Sequence, residues 1–457
     1  MKNPFKVNKD TEGALVQPGL YGYTQEIKGD RSQIHLRVEA DGHGLLLINA
    51  NRAIHLNPTA TLMAWLFLER VPQKTAINTL RKQYNVNSRT AKNDYRSVRT
   101  QIEQLIHPDG ACPIHDLDLD LLPPFSEIPS APYRMDLALT YRCNANCSHC
   151  YNSRSRNYPE ITTDQWRMAI EKLWQIGVPH ICFTGGESTL RKDLPDLITH
   201  AKSTGHISGL LTNGIRLSDR NYLMRLVGAG LDHVQITIES HIPEVHDQMV
   251  GAAGAWEKTV QGIRNCLESE LFVMTNSTLL SSNIHSIGET IDFLAELGVP
   301  TVGCNALIYS GKGRTVGTGI QENDLGPVLE TVRQRTTSNG QRLIWYTPTQ
   351  YCHFDPVQMQ LGVKGCSAAR YNMCVEPNGD VIPCQSFYEP LGNLLQDPWD
   401  EIWNHDLSIW LRERQYVPEE CHQCAMLNEC GGGCPLTLQH QLQQVPINQI
   451  QLPGSTI

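Results

Sequence analysis

Hydrophobic and polar positions change their period twice along the chain. Residues 44–56 are largely apolar with polar Asn49, Asn51 and Arg52 at their middle, which predicts a β-hairpin turning over Asn49-Ala50-Asn51. Asn57-Pro58-Thr59 then offers a capping side chain followed by proline at the first helical position. Helical spacing follows over residues 59–68, 75–84 and 88–106, the last with Val98, Ile102 and Leu105 on one face. The amino-terminal segment is therefore expected to be a small α+β domain, a hairpin followed by three helices.

From residue 134 the pattern becomes short apolar runs separated by amphipathic stretches. The runs cover residues 135–139, 180–183, 210–212, 233–238, 272–275 and 302–309. Between the first two, Thr162 and Gln165 have capping-box spacing and Gly177 closes the helix. Six strands separated by helices predict parallel βαβ units, an α/β fold with a partial (β/α)6 TIM-like barrel. Catalytic groups are then expected at the carboxyl ends of its strands. Residues 348–434 are loop-rich and hold eight cysteines. The expected organisation is a domain over residues 1–120, a proline-rich linker at 121–133, the barrel at 134–345 and a cysteine-rich domain at 346–457.

Composition narrows the function. A chain of 457 residues has room for two or three domains. With 38 Lys+Arg against 47 Asp+Glu the net charge is −9, and no basic block forms the footprint of a nucleic-acid binder. Residues 1–13 have no apolar core, and no run approaches the ~20 apolar residues of a membrane helix. A soluble, cytoplasmic protein with no nucleic-acid and no membrane partner is expected. Fifteen cysteines, clustered rather than dispersed, point to metal rather than to a disulfide framework.

The first cluster, Cys143-x3-Cys147-x2-Cys150, follows directly on the first barrel strand. Three thiolates on one loop can ligate three irons of a 4Fe-4S cube and leave the fourth open to a small molecule. The alternative is a structural zinc site, which needs four ligands where this run supplies three plus His149 or a distant residue. Here the chain resembles the radical S-adenosylmethionine (radical SAM) family, His149 standing in the aromatic-type position before the last cysteine and Tyr151 after it. Thr184-Gly185-Gly186-Glu187 at the second strand end resembles the family's Gly-Gly-Glu motif, which implies that Gly185, Gly186 and Glu187 orient the methionine amino group. Two glycines permit a close backbone approach and a carboxylate pairs with an ammonium. Asn213, on the third strand end, and Thr237 and Glu239, on the fourth, are carried over as further cofactor contacts. Thr237-Ile238-Glu239-Ser240 departs there from the family's common Ser-Leu-Asp-Gly. Asn276 and Asn305 are candidates for ribose or substrate, with satisfaction by backbone as the competing reading.

Downstream, Cys421-x2-Cys424-x5-Cys430-x3-Cys434 follows Cys366, Cys374 and Cys384, with Gly379 ahead of Cys384. Seven thiolates exceed one tetrahedral zinc. This block resembles the SPASM extension of radical SAM enzymes. The resemblance implies one auxiliary 4Fe-4S cluster on Cys366, Cys374, Cys384 and Cys434, and a second on Cys421, Cys424 and Cys430. The extension normally ends with one more cysteine, which no residue after Cys434 supplies, so the second cluster borrows a ligand such as Cys352 or a carboxylate, keeps an open iron, or is absent. Cys352 reads either as a ligand or as a catalytic hydrogen-atom donor, with an inert thiol as the bland alternative. Cys112, Cys182, Cys266 and Cys304 lie in apolar contexts and are expected to pack.

Residues 45–48, Leu56-Asn57-Pro58-Thr59-Ala60 and the helices to Ile106 resemble the RiPP recognition element, the PqqD-like domain that binds leader peptides. The hairpin edge over residues 45–54 would take the leader as an added strand, with the 88–106 helix opposite. A DNA-binding winged helix is the competing reading, with Arg89, Lys92, Arg96 and Arg99 on its last helix, and the net charge counts against it. Together the resemblances imply an enzyme that cleaves S-adenosylmethionine reductively to a 5'-deoxyadenosyl radical. It would oxidatively modify a ribosomally made precursor peptide, forming a thioether or carbon-carbon crosslink or excising a backbone fragment, with electrons from a flavodoxin or ferredoxin. The alternatives are a folded protein partner, a small molecule in cofactor maturation, or a non-enzymatic electron carrier.

Overall fold

The computed structural model describes residues 16–27, 30–49, 52–106 and 129–444. Residues 1–13, Cys112 and most of the expected linker lie outside them. The chain divides into an amino-terminal unit and a larger unit that holds both the barrel and the cysteine-rich segment.

The amino-terminal unit is a four-stranded antiparallel sheet in the order β1-β2-β3-β4, made of β1 (Gly19–Ile27), β2 (Asp30–Val38), β3 (Gly44–Ile48) and β4 (Arg52–Leu56), followed by three helices. The expected hairpin is β3–β4, and Asn49 at its turn takes the left-handed conformation with φ of 51°. Helices α1 (Pro58–Leu68), α2 (Gln73–Tyr84) and α3 (Ser88–Ile106) follow as expected, and Asn57 caps α1 by accepting from the Ala60 N–H at 2.9 Å.

Strands β1 and β2 are additions to the sequence expectation. Their signal was the alternation Ile34-x-Leu36-x-Val38, whose three side chains are buried against Ile48, Ile54 and Ile102. They also correct the expected edge, because β2 pairs with β3 along Ile34↔Ile48 to Val38↔Gly44, so β3 is internal and, among the described residues, β1 and β4 are the edge strands.

In the larger unit six parallel strands succeed one another: β5 (Arg134–Thr140), β6 (His180–Gly185), β7 (Ile207–Thr212), β8 (His233–Thr237), β9 (Phe272–Thr278) and β10 (Thr301–Asn305). The sixth stops at Asn305, four residues short of the expected end, because the Ala306 N–H turns to the Thr347 hydroxyl at 2.8 Å. Between them run α4 (Thr163–Gln175), α5 (Leu194–Thr204), α6 (Arg220–Ala229), α7 (Pro243–Val250), α8 (Ala255–Leu267) and α9 (Ile287–Glu296). Strand interiors such as Leu137, Phe183, Val234 and Val302 are fully buried, as expected for parallel strands covered on both faces.

The sheet continues past the barrel at both edges. After α10 (Glu322–Ser338), β11 (Arg342–Trp345) adds in parallel to β10. At the other edge β12 (Asn372–Val375) pairs in parallel with β5, and β13 (Asp380–Ile382) and β14 (Gly392–Asn393) extend it. The cysteine-rich segment was expected to be mostly loop. It instead grows out of the barrel's own sheet, and α11 (Trp399–Trp403), α12 (Asp406–Arg412), α13 (Leu427–Cys430) and α14 (Pro435–Gln444) complete it. Among the described residues no helix is long and apolar enough to cross a membrane.

Candidate active site

The cysteine loop leaves β5 and is pinned from three sides. The Asn146 and Ser148 N–H groups donate to Val250 O and Met249 O at the end of α7, at 2.8 and 3.0 Å. Gly251 takes φ of +62°, and a Cβ there would lie 2.5 Å from Asn146 O, so only glycine lets α7 end this close. Arg156 donates to Cys143 O at 2.6 Å and to Ala145 O at 2.5 Å. Lys312 reaches Asn146 Oδ1 with its ammonium at 2.6 Å, and its N–H donates to Cys150 O at 2.9 Å. Sequence reasoning missed both cations; the turn Gly311-Lys312-Gly313 beyond the sixth strand was the available signal for Lys312.

Cys143, Cys147 and Cys150 are free thiols. Burial pushes Cys143 and Cys147 up from the ordinary thiol range, and each is raised further by its neighbours in the trio. Such thiols hold their protons until a metal replaces them. A tetrahedral zinc, at about 2.3 Å from each sulfur, needs sulfurs about 3.8 Å apart. Among the described residues the one trio of donor atoms all within 4.8 Å of one another is His180, Cys182 and His233, so the cysteine trio is too widely spread for a single ion. That spread suits a cube in which each thiolate takes a different iron. At the opposite end of the barrel strands, His180 and His233 share a hydrogen bond at 2.9 Å. Burial and then Arg134 lower His233 to about 4, an environment hostile to a cation.

His149 Nε2 lies 3.0 Å from Glu239 Oε1, and Glu239 Oε2 accepts from the Thr278 N–H at 2.8 Å. Burial alone would lower the imidazole pKa, but Glu239 outweighs it and raises it. Glu239, expected to contact the cofactor, thus joins the cysteine loop to β9. The other ring nitrogen, His149 Nδ1, is buried without a partner, as is Asn276 Oδ1 on β9. Asn276 Nδ2 donates to Asn305 Oδ1 at 2.7 Å, so the two asparagines face each other across adjacent strand ends. Orphaned buried polar atoms at this end of the barrel are what a polar ligand would satisfy.

The Gly-Gly-Glu turn packs closely against the cysteine loop. A Cβ on Gly185 would lie 2.2 Å from Thr140 O, and one on Gly186 2.5 Å from Tyr141 O and Arg142 O. The close approach these glycines permit is to the backbone leading into the cysteine loop, sealed by the Gly186 and Glu187 N–H groups donating to Thr140 O and Arg142 O. Glu187 is 1% exposed, and burial raises its pKa. Its carboxylate accepts from the Thr189 and Thr212 hydroxyls at 2.6 and 2.8 Å and from the Asn213 N–H at 2.9 Å. Asn213 passes the linkage on, donating from Nδ2 to Asn144 Oδ1 at 2.7 Å. Tyr151 is held against Thr184, and burial raises its phenol pKa. Thr237 sits half-buried at the end of β8.

The carboxy-terminal cysteines fall into two groups. Cys374 sits on β12 opposite Asp136 of β5, with Cys384 just beyond β13. Burial raises Cys366 and Cys384, the latter to about 12, and Cys434 acts on both. These thiols, with Cys374, form one set. Cys421, Cys424 and Cys430 lie on a separate loop with Cys352 beside them. Cys182, Cys266 and Cys304 are fully buried, as expected.

Between the barrel mouth and this domain opens a cavity of about 1440 Å³, lined by Arg154, Tyr309, Lys312, Tyr388, Trp410 and His440 among others. The Tyr309 and His440 rings stack at 4.1 Å across it. Arg154 is fixed by a two-point ion pair with Glu376 at 2.8 and 2.9 Å.

Residues 137–294 match the family model of the Radical SAM superfamily, and residues 366–425 that of an iron-sulfur cluster-binding domain, SPASM. The chain thus carries a Radical SAM domain followed by a SPASM iron-sulfur cluster-binding domain, the domains of an enzyme that uses S-adenosylmethionine and 4Fe-4S clusters. It is 28% identical to Fe-coproporphyrin III synthase of Methanosarcina barkeri (strain Fusaro / DSM 804) over 324 residues, 64% of this chain and 81% of that protein. It is 29% identical to PqqA peptide cyclase of Streptomyces rochei over 315 residues, 66% of this chain and 84% of that one. Streptococcus suis SuiB bound to precursor peptide SuiA shares the fold with a TM-score of 0.68 at 16% identity, over 88% of this chain and 94% of SuiB.

Proposed function

We propose that the enzyme modifies a ribosomally made precursor peptide, holding its leader on the amino-terminal unit and its core in the cavity at the barrel mouth. The observation that carries this reading is that cavity. It borders the loop leaving Cys150, through Asn152 to Arg154, and the loop leaving Cys384, through Ser386 to Pro390. A segment seated there lies between the radical cluster loop and the first auxiliary set. When bound, the cofactors supply an electron to S-adenosylmethionine and a deoxyadenosyl radical able to take hydrogen from the substrate. The chain's own part is positional: Arg156 and Lys312 hold the cysteine loop, His149 and Glu239 fix its last turn, and Tyr309 and Trp410 offer apolar walls to a side chain.

The amino-terminal unit supports leader capture as a PqqD-like recognition element. Among the described residues β4 is an edge strand of its sheet, and Arg52 at its start donates to Leu105 O at 2.5 Å, which ties that edge strand to α3. An extended leader would add to β4 as a fifth strand. A flavodoxin or ferredoxin would deliver the electrons, in the cytoplasm. The similarity to Fe-coproporphyrin III synthase favours a second reading, a small-molecule substrate.

The test is deoxyadenosine formation by the anaerobically reconstituted enzyme with reductant, with and without short peptides encoded beside its gene. A peptide that gains a crosslink or loses a fragment, and binds less tightly when β4 carries Ile54→Pro, supports the reading. Deoxyadenosine with no peptide product but turnover of a porphyrin-type compound favours the second, and no deoxyadenosine at all ends both.

A further inference from the structure

The outer loop of the cysteine-rich domain carries Cys421, Cys424 and Cys430, and the segment that carries Cys352 crosses it. Within that loop the Cys424 N–H donates to Cys421 O at 3.0 Å and the Cys430 N–H to Met426 O at 2.9 Å, so two successive turns gather Cys421, Cys424 and Cys430. The segment before the domain, residues 349–353, crosses directly against them. The Tyr351 N–H donates to Cys430 Sγ at 3.4 Å, and Cys430 Sγ lies 3.6 Å from Thr349 O. Gly433, with φ of +82°, makes room for the crossing, since a Cβ there would lie 2.9 Å from Gln350 Cγ. Cys352 is thus the next residue after an N–H that already touches a cluster sulfur.

We infer that Cys352 is the fourth thiolate ligand of a second auxiliary iron-sulfur cluster whose other ligands are Cys421, Cys424 and Cys430. The inference rests on the radical SAM/SPASM assignment and goes beyond it, because Cys352 precedes the SPASM match, which begins at residue 366.

The segment is held on both sides of Cys352. The Trp345 indole donates to the Thr349 hydroxyl at 3.0 Å, and the Lys364 N–H to the Tyr351 hydroxyl at 2.9 Å. His353 Nδ1 lies 2.7 Å from Glu322 Oε2. That contact commits this imidazole and this carboxylate to each other, and the Cys352 thiol is the remaining soft metal donor among residues 349–353. An N–H bond to a ligating sulfur, such as Tyr351 makes to Cys430, is among the features that set a cluster's potential.

The experiment uses the full chain, reconstituted anaerobically, as wild type, Cys352→Ala, Cys352→Ser, Cys430→Ala and the buried control Cys266→Ser. Iron and sulfide are counted per chain and the reduced clusters compared by electron paramagnetic resonance, with deoxyadenosine formation as a check that the barrel is intact. The wild type is expected to hold about twelve irons. Cys352→Ala is expected either to lose about four, as Cys430→Ala does, or to keep them with an altered spectrum for that cluster alone. Cys352→Ser should keep the iron with a shifted signal from an oxygen-ligated site.

A Cys352→Ala protein with wild-type iron and wild-type spectra, beside a Cys430→Ala protein that has lost a cluster, overturns the inference. So does a wild type that cleaves S-adenosylmethionine with about eight irons indifferent to Cys430→Ala. Failure of the underlying assignment is distinct, showing as a wild type with no deoxyadenosine and no iron dependent on Cys147.

Discussion

His149 Nε2 and Glu239 Oε1, 90 residues apart in sequence, meet at 3.0 Å and join the cysteine loop to the fourth strand of the barrel. Glu239 is fully buried and its other oxygen is bound to the Thr278 N–H at 2.8 Å, so it cannot swing away. Removing it leaves two buried donors unpaired, at about 1–3 kcal/mol each. Glu239→Ala should therefore cut deoxyadenosine formation at least about tenfold, while Glu239→Gln, which keeps an acceptor, retains more. Single-turnover assays on the reconstituted proteins would decide, and equal activity of the Ala and Gln variants would refute the positioning role.

Burial raises the Cys147 thiol above its ordinary range, and Cys150, Glu239 and Cys143 around it raise it further. Cys147→Ala should abolish deoxyadenosine formation and remove about four irons. Iron analysis beside the activity assay separates this from a folding defect, since the SPASM clusters should remain.

The turn at Gly185-Gly186 tolerates no side chain. With a Cβ 2.2 Å from Thr140 O, Gly185→Ala should destabilise the protein by on the order of 3 kcal/mol. Gly228 in α6 has nothing within 4 Å of its Cβ position, and Gly228→Ala should stabilise by about 0.5–1 kcal/mol. Chemical denaturation of the two variants should move in opposite directions.

Glu376, fully buried, takes a two-point ion pair from Arg154 and a hydrogen bond from the Tyr141 hydroxyl at 3.0 Å. Glu376→Ala leaves a cation and a phenol uncompensated at the junction of barrel and cluster domain. A loss of about 2–3 kcal/mol is expected, below the range for a wholly buried pair because Arg154 is partly exposed. A double-mutant cycle with Arg154→Ala should return much of that loss as coupling.

Acid should loosen the base of the barrel. His233 titrates at about 4 in the folded protein, below its ordinary 6.5, so the unfolded chain binds the proton first. The stability this histidine contributes is complete above pH 6.5 and is lost as pH falls toward 4. The slope of unfolding free energy against pH over that window should flatten in His233→Gln, and an unchanged slope would rule the pair out as its source.

What the sequence alone determined was whatever is encoded within a few residues. The Asn57 cap, the three amino-terminal helices, the alternation of barrel strands with helices and the Cys143-x3-Cys147-x2-Cys150 loop all depend on spacing along one segment, and all are where the pattern put them. Strand β2 was missed, although the alternation Ile34-x-Leu36-x-Val38 carried a local signal for it. The cysteine clusters could be counted, and their iron-sulfur chemistry inferred, from that spacing.

Only the tertiary structure decided the rest. It assigned Glu239 to His149, turned the glycines of the Gly-Gly-Glu motif toward the backbone after β5, laid β12 along the barrel's edge and brought Tyr351 to Cys430. Those contacts span 45 to more than 230 residues, and each follows from which strands lie side by side and in what register. Local period does not carry that information, because a side chain's distant partner is selected when the parallel sheet closes and buries both groups together.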